Sequence, residues 1–67
     1  MYNWKKVMSG NDVAKVLENN GWELLRQKGS HKHYRKNHII CTVPMHSEIK
    51  AGTLSSIKRT IELAEKL

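Results

Sequence analysis

The sequence predicts an α+β fold in the order α-β-β-β-α, and three observations carry this prediction. Two segments, near residues 9–20 and 51–64, place apolar residues at helical spacing. Between them lie three short segments of strand-forming character, separated by turns. Successive strands joined by short turns make a three-stranded antiparallel sheet, so we expect two helices on one face of the sheet and an open second face.

The first helix is predicted to begin after Ser9, whose hydroxyl can cap it. Asp12 follows three residues later, as in a capping box, where its charge also suits the positive end of the helix. An apolar stripe at helical spacing starts at Val13. The pair Asn20 and Gly21 ends the helix, because both residues tolerate the left-handed backbone conformation that helix ends favour.

The three strands are predicted at residues 22–27, 31–36 and 39–43. Gly29 allows a sharp bend between the first two strands. Asn37 and His38 form a tight turn between the second and third, and Pro44 ends the third strand.

The second helix is predicted to start at about Ala51. Its apolar residues are spaced by three and four positions: Leu54, Ile57, Ile61 and Ala64. We expect residues 1–67 to form a single domain, in which residues 1–8 are a short lead-in and the core lies within residues 9–66. Trp22 and Tyr34 are expected in that core.

The charge of the chain predicts a polyanionic partner. It carries 12 Lys and Arg residues against 6 Asp and Glu residues, a formal net charge of +6. Nucleic acid is the first expectation, ahead of an acidic protein or a membrane surface. Residues 21–38 hold five of the basic residues and one Glu, so most of the excess charge lies in this segment.

The single cysteine, Cys41, excludes an intrachain disulfide and a four-cysteine zinc site. One unpaired thiol favours a reducing, cytoplasmic compartment. We expect no signal peptide and no membrane contact, since no apolar run approaches the roughly 20 residues that span a bilayer.

The basic segment contains a candidate catalytic histidine, His31, directly after Gly29 and Ser30. Histidine is the side-chain type that titrates nearest neutrality, so His31 can take and give a proton. The nearby Lys28, Lys32 and Arg26 would hold a phosphate and stabilise the charge that develops on it. Alternatively, a histidine in a basic loop is only solvated or contacts the nucleic-acid backbone.

His46 is an auxiliary candidate. If residues 37 and 38 form a two-residue turn, His31 lies opposite Pro44, and His31 and His46 are diagonal neighbours about 7–8 Å apart at the backbone. Two imidazoles at that distance can flank one phosphodiester, one as base and one as acid. The same register puts Lys32 on the core face, so we expect a β-bulge near Ser30. A loop histidine with a structural hydrogen bond is the other interpretation.

The remaining residues point away from metal and cofactor chemistry. No aspartate cluster is present to bind Mg²⁺, and His33 and His38 lack ligand partners at suitable spacing. Cys41 lies among apolar residues and is interpreted as a core residue. We therefore expect no metal and no cofactor. Phosphodiester chemistry without a metal favours RNA, whose 2′-hydroxyl supplies an internal nucleophile.

Several motifs together resemble the HicA toxin family of HicAB toxin–antitoxin systems. They occur in the family's order and spacing and cover about residues 9–62. They are Asn20-Gly21-Trp22, residues 26–31 with the Gly-Ser-His element, Val43-Pro44 with His46, and residues 52–57, Gly-Thr-Leu-Ser-Ser-Ile.

This resemblance implies a fold like that of double-stranded-RNA-binding domains and a metal-independent endoribonuclease that cleaves mRNA. It implies a catalytic histidine at the position of His31, and His46 lies where the family often has a histidine. His46 and Ser30 are the auxiliary candidates. The candidate RNA-binding residues are Arg26, Lys28, Lys32 and Arg35. A cognate HicB-type antitoxin would cover the site, with the toxin a monomer when alone and part of a hetero-oligomer with the antitoxin.

Two other functions stay open at this point. One is a non-catalytic module of the same fold that binds double-stranded RNA by shape and phosphate contacts. The other is an adaptor whose basic face meets an acidic protein, which is compatible with antitoxin binding.

Overall fold

A computed structural model describes residues 4–66 and confirms the predicted fold class. Helix α1 spans Gly10–Asn19, strands β1, β2 and β3 span Glu23–Lys28, His31–Lys36 and Ile39–Pro44, and helix α2 spans Ala51–Glu65. The strands form one antiparallel sheet in the order β1-β2-β3. Both helices pack on the same face, which leaves the other face open.

Helix α1 begins with the predicted capping box. The backbone N–H of Asp12 donates to the Ser9 hydroxyl, and the Asp12 carboxylate accepts from the Ser9 backbone N–H, both at 3.1 Å. These hydrogen bonds, the backbone one first, lower the pKa of the Asp12 carboxyl below its usual value. Asn20 caps the C-terminal end of the helix, and Gly21 follows with φ of 88°.

Strands β2 and β3 are joined by the predicted two-residue turn. Asn37 has φ of 57°, and the register places His31 opposite Pro44 and Lys36 opposite Ile39 without interruption. The register derived from the turn length is therefore confirmed. It follows from the period of two residues in a strand once the turn is fixed.

The β-bulge expected near Ser30 is wrong. The sheet has its irregularity in β1 instead, between Leu24 and Arg26. Lys32 is accommodated on the helix-covered face without a bulge because it is only half-buried. A lysine can lie along apolar surface with its stem and still reach water with its ammonium group.

The core lies between the sheet and the two helices. Tyr34, Cys41 and Val43 from the sheet meet the predicted stripe of α2, and Trp22 is buried as expected. The N-terminal lead-in also contributes, because Met8 is buried and its carbonyl accepts a hydrogen bond from the Ile49 N–H. The core therefore starts before Ser9. No helix between residues 4 and 66 is long and apolar enough to cross a bilayer.

The lead-in also packs against α2 through an aromatic ring. Trp4 is half-buried against the core, and the Nζ of Lys58 lies 5.4 Å from its ring centroid. Such a cation–π contact holds the segment that precedes α1 onto the second helix. Met1 to Asn3 lie outside the described residues.

Candidate functional site

The alternation of β2 separates its residues into a buried set and a candidate functional set. Tyr34 faces the helices and is fully buried, whereas His31, His33 and Arg35 occupy the open face. The sequence His-Lys-His-Tyr-Arg-Lys is mostly polar, so the open face of the sheet is polar along the whole of this central strand.

The strand pairings arrange the open face in three rows across the sheet. The inner row holds Lys28, His31 and Pro44; the middle row holds Arg26, His33 and Thr42; and the outer row holds Glu23, Arg35 and Ile40. Along β2 and β3 each row is two residues further than the last, a separation of about 6.5 Å, whereas on β1 the bulge makes the step from Arg26 to Glu23 three residues. Two rows thus combine a histidine with a permanently charged side chain, while the outer row pairs an arginine with a carboxylate.

His31 of the inner row lies next to His46, which follows β3. Their ring centroids are 6.4 Å apart, and the rings are inclined at 67°. The diagonal relation derived from the sequence thus brings the two imidazoles together. Both are exposed, so a ligand can reach either ring from solvent.

Two backbone hydrogen bonds fix the chain on either side of the His46 ring. The Met45 N–H donates to the Ser30 carbonyl at 2.6 Å, and the Gly10 N–H donates to the His46 carbonyl at 2.9 Å. Gly10 allows this close approach, because a Cβ there would collide with the carbonyl oxygen of Pro44 and the Cα of Met45. The first residue of α1 therefore sets the position of His46, which no single motif in the sequence shows.

The two histidines line an open groove of about 410 Å³, the histidine groove. It lies where the open face meets the loop after β3 and the start of α2, and its lining residues are His31, Thr42, Pro44, His46, Glu48, Ile49, Lys50 and Thr53. Lys50 precedes α2 and makes no side-chain cap, so the first N–H groups of the helix lack that partner. Backbone N–H groups at a helix start favour an anion.

Three of the four predicted RNA-binding residues share the open face. Arg26 and Lys28 lie on β1 beside His33 and His31, and Arg35 lies one row further on. Arg35 forms an exposed ion pair with Glu23 at 3.5 Å, which offsets part of its charge. Lys32 is not with them, because its side chain belongs to the helix-covered face of β2.

The remaining predicted auxiliary residue, Ser30, is exposed in the turn before His31. Gly29, in the same turn, has φ of 59°, a conformation that favours glycine. Ser30 has a structural role through its backbone carbonyl, which accepts a hydrogen bond from the Met45 N–H. This hydrogen bond holds the loop that carries His46.

Two residue types that often carry chemistry are placed elsewhere. Within residues 4–66, no group of three or more His, Cys, Asp and Glu side chains is arranged to hold a metal ion. Cys41 is buried on the helix-covered face, and burial raises the pKa of its thiol to about 11. The thiol is protonated at neutral pH and is not an available nucleophile.

Sequence reasoning missed part of the site. Thr42 was opposite His33 in the predicted register, and the structure shows the His33 Nδ1 and the Thr42 Oγ1 at 3.0 Å. That pair could have been found from the register alone. Glu48, Lys50 and Thr53 enter the groove only through the packing of α2 on the sheet, which the local sequence does not contain.

Comparison with known proteins identifies one family. The family model described as HicA toxin of bacterial toxin-antitoxin matches residues 10–63 of the 67-residue chain. No curated protein and no solved structure matches. The matched segment contains both helices up to Leu63, all three strands and every residue of the histidine groove.

Proposed function

The chain belongs to the HicA toxin family of bacterial toxin–antitoxin systems, and from that premise we propose that it is a metal-independent endoribonuclease that cleaves mRNA. Its role is that of the toxin in such a pair, and family membership implies an antitoxin partner. The observation that supports the activity is the pair His31 and His46, with ring centroids 6.4 Å apart, in a groove beside a basic sheet face.

The proposed reaction begins at His31. A ring nitrogen of His31 takes the proton of a ribose 2′-hydroxyl, whose oxygen attacks the adjacent phosphorus. The bond from phosphorus to the 5′ oxygen breaks as the new bond forms. The products are a 2′,3′-cyclic phosphate and a 5′-hydroxyl, because the nucleophile comes from the substrate itself.

His46 is proposed to complete the proton balance. It donates a proton to the departing 5′ oxygen, while His31 keeps the proton that it took from the 2′-hydroxyl. The separation of 6.4 Å between the ring centroids supports this division, because a phosphodiester bound between the rings would have one imidazole near its 2′ oxygen and the other near its 5′ oxygen. If the phosphodiester binds in the opposite sense, the two histidines exchange roles.

The charge that develops on the phosphate is proposed to be stabilised by cations around the pair. Lys28 lies opposite His31 in the strand pairing, and Lys50 and the start of α2 form the other side of the groove. Fixed positive groups around a reacting phosphate stabilise the transition state more than the ground state. Among residues 4–66, Glu48 is the one acidic residue that lines the groove, and its charge lowers the net positive charge there.

The antitoxin is proposed to cover the histidine groove and the adjacent basic face. A partner with an acidic surface there would neutralise the charge of residues 21–38 and exclude RNA at the same time. The activity on mRNA places the proposed site of action in the cytoplasm.

The test of the activity compares the wild type with His31→Ala on a defined mRNA in EDTA. We expect cleavage by the wild type and a rate lower by about 10²–10⁴-fold in the variant, since general acid–base catalysis contributes that much. His38→Ala, which changes an exposed turn histidine at the other end of β2, is the matched control. Equal cleavage by wild type and His31→Ala, or a requirement for Mg²⁺, would overturn the proposal.

A modified substrate separates the two histidines. When sulfur replaces the bridging 5′ oxygen, the leaving group departs as a thiolate without needing a proton, because a thiol has a pKa of about 8.5. If His46 is the acid, this substrate restores most of the rate of His46→Ala but not that of His31→Ala. Rescue of neither variant would remove His46 from the proposed mechanism. Tight binding of duplex RNA with no strand cut would instead favour the non-catalytic module.

A further inference from the structure

We propose that the middle row of the open face, Arg26, His33 and Thr42, is a binding subsite for the nucleotide next to the scissile phosphate, so that the substrate crosses the sheet as a single strand. The inference rests on the proposed endoribonuclease activity and specifies which RNA structure that activity accepts. His33 is the residue that it adds to the site.

The spacing of the rows suits successive nucleotides of one strand. The inner row contains His31, and the middle row follows it by two residues along each strand, about 6.5 Å away. An RNA chain whose scissile phosphate lies beside His31 and that runs along the β-strands therefore brings its neighbouring nucleotide over His33. The step between these two rows is regular on all three strands, because β2 and β3 pair without a bulge and the bulge of β1 lies on the far side of Arg26, toward Leu24.

The chemistry of the middle row is that of a nucleotide contact. The Nδ1 of His33 and the Oγ1 of Thr42 are 3.0 Å apart, and this hydrogen bond fixes the orientation of the imidazole ring. The ring face and Nε2 are then the parts of His33 that a ligand can meet. Arg26 lies opposite His33 on β1 and is exposed, so a phosphate or a second stacking plane is available at the same position.

The outer row marks the end of this subsite. There Arg35 is paired with Glu23 at 3.5 Å, and the carboxylate repels a third phosphate. Ile40, opposite Arg35, is 48% exposed and adds an apolar surface without charge. The middle row itself has one permanently charged cation, Arg26, which matches one phosphate chain rather than the two chains of a duplex.

The experiment uses DNA oligonucleotides that contain one ribonucleotide at the cleavage position, so that only one linkage can be cut. The oligonucleotide is lengthened one nucleotide at a time on each side of that linkage, and kcat/KM is measured in EDTA. For the wild type we expect one added nucleotide to raise kcat/KM by about fivefold or more, the effect of one stacked or bound base. The readout is the ratio between the longer and the shorter substrate.

In His33→Ala this ratio is expected to fall to near one. Thr42→Val keeps the size of the side chain, removes the hydrogen bond to His33 and is expected to give an intermediate ratio, which also serves if His33→Ala does not fold. His38→Ala, the matched control, is expected to keep the wild-type ratio. Annealing the longer substrate to a complementary strand is expected to remove the gain.

The outcomes separate this inference from the proposed function. If the wild type cleaves neither these substrates nor mRNA, the endoribonuclease proposal fails, and the subsite fails with it. If the wild type cleaves but His33→Ala keeps the full ratio, only the subsite is overturned. An unchanged ratio together with lost antitoxin binding in His33→Ala would assign the middle row to a protein interface. If the added nucleotide raises kcat/KM equally in duplex and single-stranded substrates, the single-strand assignment is overturned.

Discussion

The two faces of the sheet use neighbouring residues of the same strands for opposite purposes. On the helix-covered face Tyr34 is 0% exposed and Cys41 is 2% exposed, whereas the next residues along the chain, Arg35 and Thr42, are exposed. One face supplies burial, and the other supplies histidines, arginines and a groove. Because strand side chains alternate, six residues of β2 serve both faces without compromise between them.

This division suits a chain of 67 residues. A small domain buries a modest fraction of its surface, so each buried residue on the covered face matters to a marginal stability. The open face contributes little to the core, so burial does not determine its residue types. Substitutions on the covered face should therefore change the free energy of unfolding, whereas those on the open face should change reactivity and activity.

The largest effect on stability is expected for Tyr34→Ala. Loss of a fully buried aromatic ring leaves a cavity and should lower the free energy of unfolding by about 3–5 kcal/mol, enough to unfold much of so small a domain. Urea denaturation followed by circular dichroism measures this change. Ile40→Ala, on the open face, is the control and should shift stability by less than about 1 kcal/mol. Similar losses in both variants would show that the open face is also part of the core.

The next effect concerns the reactivity of neighbouring positions in β3. Burial raises the pKa of the Cys41 thiol to about 11, so little thiolate exists at neutral pH. In Thr42→Cys the new thiol lies on the open face, and we expect it to react with a disulfide reagent at least about 100-fold faster than Cys41. The Thr42→Cys variant should then release one equivalent of the reagent's thiol rapidly, from the cysteine at position 42, and one slowly, from Cys41. A fast reaction of Cys41 in the wild type would contradict its placement in the core.

The smallest effect is the pH dependence that Tyr34 gives to stability. Its hydroxyl donates to the Glu18 carboxylate at 2.6 Å, and burial, followed by this hydrogen bond and the negative charge, raises the pKa of the phenol above its usual 10.0. The unfolded chain therefore releases this proton first as pH rises past 10.0. The free energy of unfolding should then fall by about 1.4 kcal/mol per pH unit.

Tyr34→Phe keeps the ring and removes both the proton and the hydrogen bond. We expect it to be less stable than the wild type by about 1–2 kcal/mol at neutral pH and to lack the alkaline decrease that the Tyr34 phenol causes, since phenylalanine has no phenol to ionise. Urea denaturation at pH 7, 9 and 10.5 distinguishes them. Parallel curves for the two proteins would mean that the hydroxyl is not held as described.

Much of the fold was predictable because its determinants are local. The capping pair of Ser9 and Asp12, the turn at Asn37 and the apolar spacing of α2 each act within a few residues, and each prediction was confirmed. The register of β2 and β3 followed from the turn length, and with it the neighbouring positions of His31 and His46.

Non-local packing explains what sequence reasoning could not reach. The bulge lies in β1 rather than near Ser30, because the half-buried Lys32 fits the covered face without one. The register already put Lys32 on the covered face, and only the packing shows that its half-buried side chain stays there. The burial of Met8 depends on its backbone contact with Ile49, a residue 41 positions further along the chain.

The sequence by itself determined the order of elements, the concentration of charge around His31 and the motifs of the HicA toxin family. These features depend on residue types and on short spacings along the chain, and both can be read directly from the sequence. The tertiary structure decided which cations share a face with His31, how Gly10 positions His46 and how the start of α2 completes the groove. Those relations join segments far apart in sequence, and only the packing of helices on the sheet brings them together.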